Sequence, residues 1–272
     1  MQIGIFAKTF PGTDPLNVLS AVRDSGYTGT QFNLACSGLP SMPDAVPEAT
    51  VTAIRAAAQA TGVSFAALSG TYNMAHPDAS VRQTGLRQLA VVIETAAALS
   101  IPLVTLCTGT RHPSDQWAHH PENADPSAWA DMAAEMSKAL ALAEDYGVDL
   151  GIEPEQANIV RSAADAQRLI TEMGSKRLRI VLDPANLFES ATPTEARAIV
   201  ERAIETAAGH IAMAHAKDRY ADGRFATAGQ GIVDFPDFIA RLKAVGFDGP
   251  LVTHGLSAAE APHVAAFLKE LI

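Results

Sequence analysis

Met213-Ala214-His215-Ala216-Lys217-Asp218 ends an apolar, strand-like run on an imidazole, and the second half of the chain holds three more runs of the same design. They are Gly151-Ile152-Glu153-Pro154-Glu155, Val181-Leu182-Asp183-Pro184-Ala185-Asn186 and Leu251-Val252-Thr253-His254-Gly255. In each, a hydrophobic strand delivers a carboxylate or an imidazole at its C-terminal end. Parallel strands closed into a ring would carry those ends to one point. Glu153, Asp183, His215 and His254 at one mouth of a barrel form a divalent-metal constellation.

Outward from these runs, strand-like and helix-like segments alternate from end to end. Apolar runs near 3–7, 29–33, 64–68, 103–107, 148–153, 179–183, 211–215 and 250–254 are each followed by a polar loop and a stretch of helical periodicity. The helical stretches fall near 16–25, 50–61, 81–98, 127–146, 163–173, 193–207, 235–245 and 258–271. Pro15 and Pro193 suit an opening helical turn, and Gly26, Gly62, Gly147 and Gly246 suit termination before the next strand. Such alternation predicts βαβ units and a parallel sheet. Eight units average about 34 residues each, close to the spacing in a closed (β/α)8 barrel of roughly 250 residues.

A doubly wound open sheet is the rival, and it would announce itself by a glycine-rich turn after the first strand. Here that turn reads Thr9-Phe10-Pro11-Gly12-Thr13-Asp14, and no P-loop pattern occurs elsewhere. With no linker or low-complexity tract, the expectation is a single (β/α)8 TIM barrel domain over residues 1–272. The longest irregular stretches, 34–47 and 108–126, both follow strands and would lie on the C-terminal face as binding loops or lids.

Composition narrows the partners. The net charge is −10, the wrong sign for gripping nucleic acid, and no Lys/Arg cluster suits an anionic membrane. The most apolar stretch, 89–107, is interrupted by Glu94 and Pro102, so it does not read as a membrane span. The N-terminal residues run straight into a strand with no signal-peptide pattern. Cys36 and Cys107 are the only two cysteines and show no CxxC spacing, which favours reduced thiols in a cytoplasmic protein. Cys107 reads as a core residue.

Taken singly, each candidate has a plain structural reading. Glu153 could cap a helix, and Asp183 before Pro184 could form a turn. His215 could be a hydrogen-bonded core residue, and Lys217 could pair locally with Asp218. Their common position at strand ends favours chemistry instead. Glu153 and His254 are then candidate acid/base groups as well as ligands. Asn186 and Lys217 are candidate substrate contacts, Lys217 through its charge. Glu155 faces either the site or solvent. In the first half, His76 follows the third strand and Arg111 the fourth. Both are candidate contacts for a sugar hydroxyl, carboxylate or phosphate. Gly229-Gln230-Gly231 with Asp234 reads as a turn leading into a helix, Asp234 being its N-cap.

These runs, in this order, resemble the sugar phosphate isomerase/epimerase superfamily, with its xylose-isomerase-like barrel. The parts that match best are the strand-end Glu153, Leu182-Asp183-Pro184-Ala185-Asn186, His215-Ala216-Lys217-Asp218 and Gly229-Gln230-Gly231 followed by Asp234-Phe235. That superfamily includes tagatose and psicose 3-epimerases, hydroxypyruvate isomerases, inosose dehydratases and abasic-site endonucleases. The resemblance implies one divalent ion held by Glu, Asp, His and Glu from the last four strands. Glu153, Asp183 and His215 match the first three, whereas His254 stands where the epimerases have Glu.

The expected activity is a metal-dependent sugar or sugar-phosphate isomerase or epimerase working through an enediolate. The donor set suits Mn²⁺ best, with Mg²⁺, Co²⁺ or Zn²⁺ as alternatives. The expected partner is a small-molecule sugar, with neither nucleic acid nor membrane, and assembly into a homo-oligomer stays open. Two other readings share the barrel. One is a dehydratase or lyase acting on a polyol or keto-sugar. The other is a carbohydrate-binding relative that has lost catalysis.

Overall fold

The computed structural model describes residues 1–272. Eight parallel strands close into a barrel: β1 (Gln2–Phe6), β2 (Gly29–Phe32), β3 (Ser64–Ser69), β4 (Leu103–Leu106), β5 (Asp149–Ile152), β6 (Leu178–Leu182), β7 (Ile211–Ala216) and β10 (Pro250–Thr253). The last strand pairs with the first through Gln2↔Pro250 to Ile5↔Thr253, so the ring has no free edge. Eight helices surround it: α1 (Pro15–Asp24), α2 (Glu48–Thr61), α3 (Ala79–Ala98), α4 (Pro126–Tyr146), α5 (Ala163–Met173), α6 (Pro193–Ala207), α7 (Phe235–Ala244) and α8 (Ala261–Lys269). The expected TIM barrel is therefore the observed architecture. The alternation of apolar runs also located all sixteen of its elements to within a few residues.

The helix ends follow their sequence signals. Asp14, Asp78, Asp125 and Asp234 each accept a hydrogen bond from a backbone N–H of the first turn. Ser162 with Asp165 and Thr192 with Glu195 form reciprocal capping boxes. Pro15 and Pro193 open their helices, and Gly62 and Gly147 close theirs with left-handed φ of 70° and 71°.

The connection after β7 departs from the simple pattern. It carries a small antiparallel hairpin, β8 (Asp218–Arg219) with β9 (Phe225–Ala226), which the strand-and-helix alternation does not foretell. Strands two residues long have no hydrophobic period to read.

The barrel interior is layered. Ala66, Ala67, Leu103, Val181, Met213 and Val252 form an apolar cluster separate from the main core between sheet and helices. Gly151 belongs to the same level. A Cβ there would meet Val181 Cγ2 at 2.8 Å and Leu103 Cδ1 at 3.1 Å, so this floor has room only for glycine. Side chains alternate along a strand, so the residues two positions beyond Ala67, Leu103, Gly151, Val181, Met213 and Val252 also face inward. Those residues are Ser69, Thr105, Glu153, Asp183, His215 and His254. A polar layer thus sits on an apolar floor, at the C-terminal mouth.

Candidate metal centre

Glu153, Asp183 and His215 each offer a donor atom, and these atoms all lie within 4.8 Å of one another. His215 Nδ1 is 3.2 Å from Glu153 Oε1 and 3.5 Å from Asp183 Oδ2. Asp183 is fully buried; its Oδ1 accepts from the backbone N–H of Ala185, while Oδ2 has no hydrogen-bond partner. A buried carboxylate oxygen left unsatisfied is costly unless something positive meets it. Two carboxylates, one imidazole and an orphaned oxygen pointing among them fit a divalent cation.

The imidazole is oriented from across the barrel. Gln31, at the inner end of β2, donates through Nε2 to Ser69 Oγ (3.2 Å) and Thr105 Oγ1 (3.1 Å). Its carbonyl therefore faces His215 and accepts from Nε2–H at 2.9 Å. That bond fixes the tautomer and turns the Nδ1 side toward the two carboxylates.

Without an ion, a proton fills the gap. Burial works against a charged imidazole, but the Glu153 and Asp183 carboxylates outweigh it and raise His215 to about 9. Burial likewise opposes ionisation of Asp183, and the charges of Lys217 and His215 win there too, holding it well below the usual carboxylate range.

Asn186 links the cluster to Lys217. Its Nδ2 donates to Glu153 Oε1 at 2.7 Å, and its Oδ1 accepts from Lys217 Nζ at 3.1 Å. Glu155 is drawn into the same group: burial and the neighbouring Glu153 charge push it up to about 7. Its Oε2 is 3.4 Å from Asn158 Nδ2.

His254 stands beside the three converging groups and outside their convergence. Its ring stacks on that of His215, with centroids 5.4 Å apart and planes within 10°, and its Nδ1 is buried without a partner. Burial and the neighbouring His215 and Lys217 charges hold it down to about 4, so it is neutral near pH 7. The reason for the offset lies in its position. It follows the last barrel-paired residue of β10, and its ring lies parallel to that of His215.

Two other sequence candidates are committed elsewhere. Arg111 donates to the Ala75 carbonyl and to Ser127 Oγ, and its Nη2 lies 2.7 Å from Asp131 on α4. Its charge ties the β3 and β4 loops to a helix. His76 Nε2 is 3.0 Å from the Pro113 carbonyl, and its Nδ1 accepts from the Asp78 amide. It lines a cavity of about 660 Å³ with Tyr72 and Trp117, a cavity that none of the clustered donors borders.

The local Lys217–Asp218 ion pair is also replaced. Neighbouring residues of an extended chain point to opposite sides. Lys217 turns inward, while Asp218 turns away and accepts from the amides of Arg219, Gly229, Gly231 and Val233. The Gly229-Gln230-Gly231 turn wraps that carboxylate. A Cβ on Gly231 would lie 2.3 Å from Asp218 Oδ1, which accounts for glycine there.

A closed parallel barrel with its polar residues at the C-terminal ends of the strands defines a TIM barrel of the kind whose chemistry resides at that mouth. The chain belongs to the xylose isomerase-like TIM barrel family, whose profile matches residues 19–271. Among curated proteins it is similar to the uncharacterized protein MJ1311 of Methanocaldococcus jannaschii, at 24% identity over 159 residues. That match spans 54% of this chain and 53% of the relative, about half the length of each.

Solved structures share the fold at greater length. The 3-keto-D-glucoside 4-epimerase YcjR from E. coli superposes with a TM-score of 0.78 at 19% identity, covering 99% of both chains. An L-ribulose 3-epimerase gives 0.77 at 20%, covering 99% of this chain and 93% of that one. The D-psicose 3-epimerase of Clostridium cellulolyticum H10 gives 0.75 at 16%, covering 100% and 99%. No helix is long and apolar enough to cross a membrane.

Proposed function

We propose that the chain is a divalent-metal-dependent sugar isomerase or epimerase that moves a proton at the carbon next to a carbonyl. The observation that carries this reading is the convergence of Glu153, Asp183 and His215 around the orphaned Asp183 Oδ2. The sugar epimerases among its fold relatives support the substrate class. Glu153, Asp183 and His215 would hold the ion, with Mn²⁺ the best match to the donors and Mg²⁺, Co²⁺ or Zn²⁺ the alternatives. When bound, the ion supplies positive charge beside the carbonyl and neighbouring hydroxyl oxygens, where negative charge builds as the proton leaves.

The chain's own residues divide the remaining work. Of the two carboxylates, Asp183 is sealed, while 22% of the Glu153 side chain stays accessible, so Glu153 is the one that can reach a substrate proton. Asn186 holds Glu153 Oε1 and thereby aims the carboxylate. His254 is neutral near pH 7 with an unpartnered Nδ1, which leaves that nitrogen open either to serve as a further donor to the ion or to exchange a proton with substrate. Lys217 stands one amide away from Glu153 and, through Asn186, helps hold that amide in place.

The test is substrate turnover in heavy water on the Mn²⁺-loaded protein, against a panel of ketoses and aldoses. Deuterium should appear at the carbon alpha to the carbonyl, in a product of otherwise unchanged composition. A product lighter by one water would replace this reading with a dehydratase. Asp183→Ala should cut metal affinity while the barrel stays folded. Unchanged affinity in that variant would overturn the metal assignment.

A further inference from the structure

The connection after β7 brings two cations to the mouth, and neither forms an ion pair. Lys217 is only 7% exposed, yet its Nζ has just the Asn186 carbonyl oxygen and the face of Phe225, 3.6 Å from the ring centroid. Arg219 lies two residues on and so turns to the same side. Its guanidinium carbon is 4.1 Å from the same centroid, Nη1 donates to the Glu189 carbonyl, and Nε is buried with no partner. The carboxylate between them, Asp218, is spent on backbone amides.

Two unpaired cations are unusual here. The chain carries a net charge of −10, and buried charge is ordinarily matched by a partner. The hairpin holds both in place. It is latched to the β6–α6 loop by Arg219 on Glu189, and it sets Phe225 over Lys217 while leaving that ring 48% exposed. Once an ion balances Glu153 and Asp183, the carboxylates left facing the two positive charges are Glu155 and, beside Arg219, Glu189. Asn186 spans from Glu153 to Lys217, so the first of the cations begins one side-chain amide away from the donor cluster.

We propose that Lys217 and Arg219, with the Phe225 ring against them, form a subsite for an anionic group on the substrate, a carboxylate or a phosphate at the end remote from the donor cluster. This rests on the reading of the site as a metal-dependent sugar isomerase and narrows its substrate class. The Arg219 guanidinium supplies paired N–H donors suited to two oxygens, and Lys217 supplies a point charge. The exposed ring supplies an apolar surface for the carbon chain.

The experiment compares three ketoses by calorimetry on the Mn²⁺-loaded protein: D-ribulose, D-ribulose 5-phosphate and D-fructuronate. At least one anionic ketose should bind about tenfold or more tighter than D-ribulose, and which one does so identifies the anion. Arg219→Gln should remove most of that preference, with Mn²⁺ affinity and D-ribulose binding unchanged, and Arg219→Lys should restore part of it. Equal binding of all three by the wild type overturns the proposal. So does a preference that survives in Arg219→Gln. Failure of Mn²⁺ to bind would refute the metal reading alone. The ratio of anionic to neutral binding on the metal-free chain then decides this proposal.

Discussion

Replacing Gln31 by Leu isolates the orienting bond of the centre, because Gln31 touches no donor oxygen and sits on the far side of the barrel from Glu153. The substitution removes the acceptor for His215 Nε2–H, a group on a residue only 2% exposed, and the donors to Ser69 and Thr105. A buried donor left unpaired costs about 1–3 kcal/mol, and hydroxyls recover part of their loss by rotating, so the expected destabilisation is about 2–4 kcal/mol. With its tautomer no longer fixed, His215 presents Nδ1 to the ion only part of the time. Loss of such an outer bond typically costs about 10–100-fold in metal affinity. Denaturant unfolding reads the first quantity and calorimetric Mn²⁺ titration the second. Gln31→Glu is the control, since a carboxylate still accepts from Nε2–H, and it should keep Mn²⁺ affinity at or above wild type. A folded Gln31→Leu protein with Mn²⁺ affinity within about twofold of wild type would refute the reasoning, because that is well below the expected loss.

Two further outcomes follow from the same site. Asp218→Asn places an NH₂ group against amides that need an acceptor; it should destabilise by about 1.5–3 kcal/mol and raise hydrogen exchange at Gly229, Gly231 and Val233. On the pH axis, His215 is raised from near 6.5 to about 9 in the metal-free fold, so the stability this adds is full below about 6.5 and is lost as pH rises through about 9. The same proton competes with the ion. Apparent Mn²⁺ affinity should rise with pH and level off above about 9, with proton release detectable by calorimetry in buffers of different ionisation enthalpy.

The fold was readable because its signals are local. Apolar runs, Asp and Ser caps and helix-ending glycines each lie within a few residues of the boundary they set. The three converging donors were readable for a related reason: each ends its own strand, and only closure of the ring had to be assumed. Gln31 escaped because Gly29-Thr30-Gln31-Phe32 gives no sign of chemistry until the barrel brings it opposite His215, 184 residues away in sequence. Arg111 looked like a free cation because its partner, Asp131, lies one helical turn into α4. The Lys217–Asp218 pair was suggested by adjacency, which strand alternation forbids. Arg219 and Phe225 belong to a hairpin too short to leave a period.

The apolar floor beneath the polar layer separates what holds the barrel from what reacts in it. Leu103, Gly151, Val181, Met213 and Val252 fill the lumen, and the outer core binds sheet to helices; neither depends on which groups stand one level higher. Positions 31, 69, 105, 153, 183, 215 and 254 are therefore a compact set for redesign. Their identities can be exchanged as a group, provided each new hydrogen bond is matched, while the vessel around them keeps its shape. The same separation offers descent a route: a reagent at the rim can change without passing through an unfolded ancestor.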